Sequence, residues 1–301
     1  MLGEITLEPR EVKLTTRTNT IVRRTLPHRD LLMIGPWCFI DHYGPTQAVE
    51  AMSVASHPHT GLQTVSWLFA GEIEHRDSLG SSQLINPGEL NLMTSGFGIA
   101  HSELSIDNGS ELHGVQLWVA LPNESKDVSP HFEHHGNLPE FSVSGLNIKL
   151  FMGEFLGNKS DAKTYSPLLG LEMSGESIDA LLPINSVFEH GILLDSGQLE
   201  VNGQLVTKSQ LHYIPNGAES FHIKSDSNFR ALLIGGEPFS EKIVMWWNFI
   251  GRSHEEIVAM RNDWENQTTR FATFEDKIGG RIPAPEMPNI VLKERGNQRS
   301  S

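Results

Sequence analysis

The chain has 301 residues, enough for two domains of ordinary size that each bury a core of their own. Apolar residues make up 38% and charged residues 20%, a balance typical of folded globular chains and unlike long disorder. The formal charge of −14 argues against direct binding to nucleic acid or to an anionic membrane surface, because both need clustered Lys and Arg.

The opening stretch MLGEITLEPREVKL lacks the apolar centre of a signal peptide, and no apolar run approaches the roughly 20 residues of a membrane span. The cytoplasm is the expected location. Cys38 is the only cysteine, which excludes an intrachain disulfide. It sits in the apolar stretch 33–40 and reads as a small buried hydrophobe.

Short β-prone runs follow in order. TVSWLF (64–69) ends at Ala70 and Gly71, and QLI (83–85) enters the turn Asn86, Pro87, Gly88. HGVQLWVA (113–120) is closed by Leu121 and Pro122. Strands of this length and spacing point to an all-β architecture of antiparallel barrels or sandwiches. A second block, GILLDSGQLE (191–200), repeats the pattern of 66–74 with Gly197 on Gly71. GAESFHIK (217–224) can be laid on GFGIAHSE (96–103), which puts His222 on His101 and Lys224 on Glu103. The reading is an internal duplication: residues 1–130 form one barrel, and residues 131–301 form a second barrel plus a helix and tail. The helix is expected over 253–266, with Ser253 and Glu256 as a capping box and Ile257, Met260 and Trp264 on its apolar face. The tail beyond Lys277, rich in Gly and Pro, is expected to be irregular.

Two short motifs carry chemistry. His57 and His59 flank Pro58, and on a strand positions i and i+2 face the same side. His101 and Glu103 repeat that geometry. If the two strands are neighbours, three imidazoles and one carboxylate converge, a mixed nitrogen and oxygen set that suits Fe, Mn, Ni, Cu or Zn better than Ca or Mg. His75, His113, His131, His134 and His135 stand outside these motifs and read as ordinary surface or core residues. In the second barrel the repeat places Lys224 on Glu103, Pro183 on His57 and Asn185 on His59, so no metal is expected there.

The stretch from HPHTGLQTVSWLFAGEIEHRD to GFGIAHSE, with HGVQLWVALP after it and IGPWCFIDHYGP before it, resembles the pirins, a branch of the cupin superfamily. The resemblance implies an all-β bicupin of two antiparallel jelly-roll barrels with a C-terminal helix. It implies one metal in the N-terminal barrel, iron(II) foremost with Mn, Ni, Cu, Co or Zn as alternatives, bound by His57, His59, His101 and Glu103. It further implies O2-dependent ring cleavage of quercetin or a similar flavonol with release of carbon monoxide. In that reading Glu103 is both ligand and catalytic base, and Trp67, Phe97, Ile99 and Trp118 line a pocket for the flat substrate. The other reading of the same resemblance is a metal-binding regulator that acts through a protein partner with little or no turnover.

Overall fold

The computed structural model describes residues 2–14, 20–47, 52–274 and 276–297. Where apolar and polar residues alternate, the chain forms strands, and antiparallel pairing dominates throughout. The chain divides into two compact units, one made of Val12–Val22, His42–His134 and Ser240–Ser301, the other of Met1–Glu11, Arg23–Asp41 and His135–Phe239.

In the first unit a four-stranded sheet has the spatial order Ser53–His59, Ile99–Ser105, Ile73–Asp77, Ser82–Ile85. A larger sheet runs His131–His135, Leu90–Thr94, Leu62–Ala70, Glu111–Ala120 and on into Trp37–Gln47. Val54, Ile73 and Ile85 from the first sheet meet Leu68 and Leu112 from the second in one apolar cluster, so this is a double-layered barrel with its core between the sheets. Between the strands Ser53–His59 and Leu62–Ala70 the chain turns at Gly61, whose φ is +68°. A Cβ there would lie 2.3 Å from the carbonyl oxygen of Ile250, so both the conformation and the space require glycine.

The second unit repeats the plan. Its small sheet has the order Ile178–Pro183, Ser220–Ser225, Leu199–Val201, Gln204–Val206, and its large sheet includes Leu211–Ile214, Glu189–Ser196, Phe229–Gly236, Leu168–Gly175 and Leu146–Phe155. Gly71 and Gly197 match as the repeat expects: both have φ above +80°, and both pack against a backbone carbonyl of the neighbouring strand. The match of His101 to His222 is off by one residue. Along Ser220–Ser225 it is Phe221 and Ile223 that enter the core, while His222 faces outward and bonds Asp179 at 2.7 Å. Leu182 lies opposite Phe221. A one-residue slip in a strand sends every side chain to the other face, so the inward positions of this strand pair hold apolar Leu182, Phe221 and Ile223, and the matches of Pro183, Asn185 and Lys224 to ligands fall with it.

The helix spans His254–Glu265, with Ser253 as N-cap accepting from the Glu256 amide at 3.2 Å. Glu256 reaches back to the amide of Arg252 at 2.7 Å, one residue earlier than in the standard box. Ile257, Met260 and Trp264 are its buried face, as the spacing predicts. Assigning the helix and tail to the second barrel needs correction. They belong to the first unit, where the helix packs with Phe249, Phe271 and Ala100. Among the described residues no helix is long and apolar enough to cross a membrane.

Candidate metal centre

Strands Ser53–His59 and Ile99–Ser105 lie side by side and antiparallel, with His57 opposite His101 and His59 opposite Ile99. The i, i+2 spacing of each motif then turns His57, His59 and His101 to one face. Their ring centroids are 4.3 Å (His57–His101), 5.0 Å (His59–His101) and 5.1 Å (His57–His59) apart. One nitrogen from each falls within 4.8 Å of the other two.

All three rings are buried, and burial is the main reason each holds its proton weakly: His57 is pushed down to about 4, and His59 and His101 well below the usual imidazole range. They are neutral near pH 7, the state in which imidazole offers a lone pair to a metal. Their second nitrogens are held in place. His57 Nδ1 donates to the carbonyl of Ala55 at 2.9 Å, and His59 bonds the backbone of Asn248. Buried His59 Nδ1 and His101 Nε2 have no hydrogen-bond partner among the described residues. Unpaired buried nitrogens cost free energy unless something binds them, and a borderline transition-metal ion fits this donor set.

Glu103 is buried on the same strand as His101, past a register shift that sets it opposite Val54. It stands outside the three-histidine group. Burial raises its proton affinity, and the Ser66 hydroxyl donates to its Oε1 at 3.3 Å. A cation beside it would draw it back to the charged form.

Two of the four expected pocket residues share this space. Ile99 pairs with His59 across the two strands, and Trp118 meets the His59 ring edge-on at 5.1 Å. Trp67 does not: it adjoins Ser66 on one strand and therefore faces the opposite side from the hydroxyl that touches Glu103. Phe97 is 44% exposed and lies under the Arg270 guanidinium at 4.0 Å.

His75 is the residue that sequence reasoning passed over. It is 2% exposed, sits on the strand next to that of His101, and brings its Nδ1 to 3.4 Å from His101 Nδ1. The available signal was its own i, i+2 partner, Asp77. His113 is also buried and stacks on His42 at 5.4 Å, while His131, His134 and His135 lie on a half-exposed strand.

The C-terminal segment covers the outer edge of the strand Ser53–His59. Asp276 accepts from the Ser56 amide at 3.1 Å, the Ile282 amide donates to the Ser56 carbonyl at 2.8 Å, and the Ile250 amide donates to that of Thr60 at 3.1 Å. Trp264 Nε1 donates to the Ile282 carbonyl at 2.9 Å, tying this strap to the helix. The tail is irregular as expected, yet hydrogen-bonded.

Comparison with known proteins agrees with this architecture. Residues 18–119 match the Pirin family and residues 174–272 match the Pirin C-terminal cupin domain. A candidate quercetin 2,3-dioxygenase of Pseudomonas aeruginosa is 42% identical over 270 residues, 89% of this chain and 86% of the relative. A pirin-like protein of Caulobacter vibrioides is 36% identical over 279 residues, 89% of this chain and 95% of the relative. The crystal structure of a quercetin 2,3-dioxygenase from Acinetobacter baumannii superposes with a TM-score of 0.93 at 36% identity, covering 98% of each chain. With a bicupin fold, three convergent histidines in its first barrel and relatives of this closeness, the chain belongs to the pirin family.

Proposed function

We propose that this protein is a metal-dependent dioxygenase of the pirin type, placed in the cytoplasm, that opens the ring of quercetin or a similar flavonol with O2. The observation that carries the reading is the set of three buried histidines, each with one nitrogen within 4.8 Å of the others, on a strand pair that also bears the buried carboxylate of Glu103. The names of the Pseudomonas and Acinetobacter relatives support the same chemistry.

His57, His59, His101 and Glu103 would hold one metal ion, iron(II) foremost, with Mn, Ni, Cu, Co or Zn compatible with the same donors. Bound there, the ion supplies Lewis-acid and redox chemistry toward a flavonol hydroxyl and O2. Glu103 takes the proton of the flavonol 3-hydroxyl. The Ser66 hydroxyl, which donates to its Oε1 at 3.3 Å, steadies its orientation. Trp118 and Ile99 give the space an apolar wall that suits a flat ring and excludes water. In the net reaction both oxygen atoms of O2 enter the products and one ring carbon leaves as carbon monoxide.

The test begins with metal analysis of protein purified without chelators. The metal-loaded protein is then mixed with quercetin and O2, following loss of flavonol absorbance and release of carbon monoxide. Turnover in the ordinary enzyme range, about 1–10³ s⁻¹, is expected. No flavonol loss with Fe, Mn, Ni, Cu or Co would overturn the enzyme reading and favour the regulator that binds metal without turnover.

A further inference from the structure

Asp77, His75 and His101 form a hydrogen-bonded file across two adjacent strands. Ile73–Asp77 pairs with Ile99–Ser105 so that Asp77 lies opposite His101 and His75 opposite Glu103. Asp77 Oδ2 is 3.3 Å from His75 Nε2, and His75 Nδ1 is 3.4 Å from His101 Nδ1. Asp77 and His75 are both buried, and Phe132 stacks on the His75 ring at 4.4 Å and 16°. The other carboxylate oxygen of Asp77 accepts from the amides of Leu79 at 2.9 Å and Ser81 at 3.0 Å, which fixes its plane.

The polarity of this file follows from its first member. An ionised carboxylate only accepts hydrogen bonds. Carrying a single ring hydrogen, His75 must therefore donate from Nε2, which leaves its Nδ1 as a lone pair. That lone pair can be satisfied only if His101 donates from Nδ1. His101 then carries its own lone pair on Nε2, the buried atom that has no partner among the described residues.

We infer that Asp77 and His75 are positioning residues that set the tautomer of His101, so that its Nε2 is held unprotonated toward the metal. This rests on the reading of His57, His59, His101 and Glu103 as ligands and adds a fixed supporting layer behind one of them. Partners of this kind orient ligating imidazoles and typically contribute about 10- to 100-fold to metal affinity.

Asp77→Asn tests the inference with almost no change of shape. The amides of Leu79 and Ser81 need an acceptor, so the new carboxamide keeps its oxygen toward them and turns its NH2 to His75. His75 must then accept at Nε2 and donate from Nδ1, and His101 is driven to the tautomer with hydrogen on Nε2. In the metal-free protein, ¹⁵N imidazole spectra should show His101 Nε2 unprotonated in the wild type and protonated in Asp77→Asn. Affinity for Ni(II), used as a non-oxidisable probe, should fall about tenfold or more.

The pair His75→Gln and His75→Leu decides the matter if Asp77→Asn does not fold. Glutamine can donate its amide hydrogen to Asp77 and accept from His101 with its oxygen, and should keep Ni(II) affinity within about threefold, whereas leucine should lose about tenfold or more. Circular dichroism confirms that each variant is folded. Unchanged His101 spectra in Asp77→Asn, or unchanged Ni(II) affinity in His75→Leu, overturns the inference. A tautomer change in Asp77→Asn together with a wild type that binds no metal would keep the file and sink the ligand assignment instead.

Discussion

His190 lies at the start of Glu189–Ser196 in the second unit, fully buried, with neither ring nitrogen hydrogen-bonded among the described residues. Its ring packs so closely on Gly235 that a Cβ there would lie 2.9 Å from it. Burial pushes its pKa down to about 4. An unfolded chain returns the residue to about 6.5. Between those values the unfolded state binds a proton that the folded state refuses, so stability rises with pH across this window. The contribution is fully present above pH 6.5 and is lost as pH falls toward 4, a difference of about 3 kcal/mol at ~1.4 kcal/mol per pH unit. His190→Leu removes both unpaired nitrogens at nearly constant volume, so at neutral pH the variant should be as stable as the wild type or about 1 kcal/mol more stable. On acidification from pH 6.5 it should lose less stability than the wild type, by up to ~1.4 kcal/mol per pH unit. Urea unfolding of the metal-free proteins at several pH values measures this. Because His57, His59 and His101 are depressed in the same direction, the informative quantity is the difference between the two proteins. Identical pH slopes would refute the argument that burial keeps His190 neutral.

At the metal centre, His57→Ala or His101→Ala should abolish stoichiometric metal binding, read by elemental analysis. A full equivalent retained by the double variant would remove these residues from the ligand set. Glu103→Gln keeps an oxygen donor but not the base, so flavonol turnover should fall by about 10²-fold or more while metal remains bound. Wild-type turnover in that variant would exclude Glu103 as the base. Ser253→Ala removes the acceptor for the Glu256 amide and should cost about 1 kcal/mol in chemical denaturation. No loss of stability would show the cap to be dispensable.

The residues that could be read from sequence are those whose geometry is local. A strand repeats every two residues, so two i, i+2 pairs state which side chains share a face before any partner strand is known, and the three histidines do converge. The helix was legible for the same reason, since cap and apolar spacing lie within one short segment. What failed depended on distant pairing. The repeat sets the conspicuous His222 on His101, yet parity along Ser220–Ser225 puts the unremarkable Phe221 inward. The helix has one apolar face, and nothing in that face states which of two barrels it will cover. His75 acquires its meaning only from the strand beside it, where His101 stands. Trp67 and Trp118 look alike in composition, and only the side taken by Ser66 and Glu103 separates them.

The strap along Ser53–His59 has a consequence for biosynthesis. Ser56 bonds Asp276, a residue 220 positions downstream. A chain that emerges from the ribosome N-terminus first presents His57 and His59 long before the segment that closes their strand exists. During that interval the strand is an open edge with unpaired amides and carbonyls, the kind of surface that invites pairing with another chain. Closure of this edge is thereby tied to synthesis through residue 282, and interruptions after the second barrel yield a product that contains every expected ligand but lacks the partners of Ser56 and Thr60, which flank two of them.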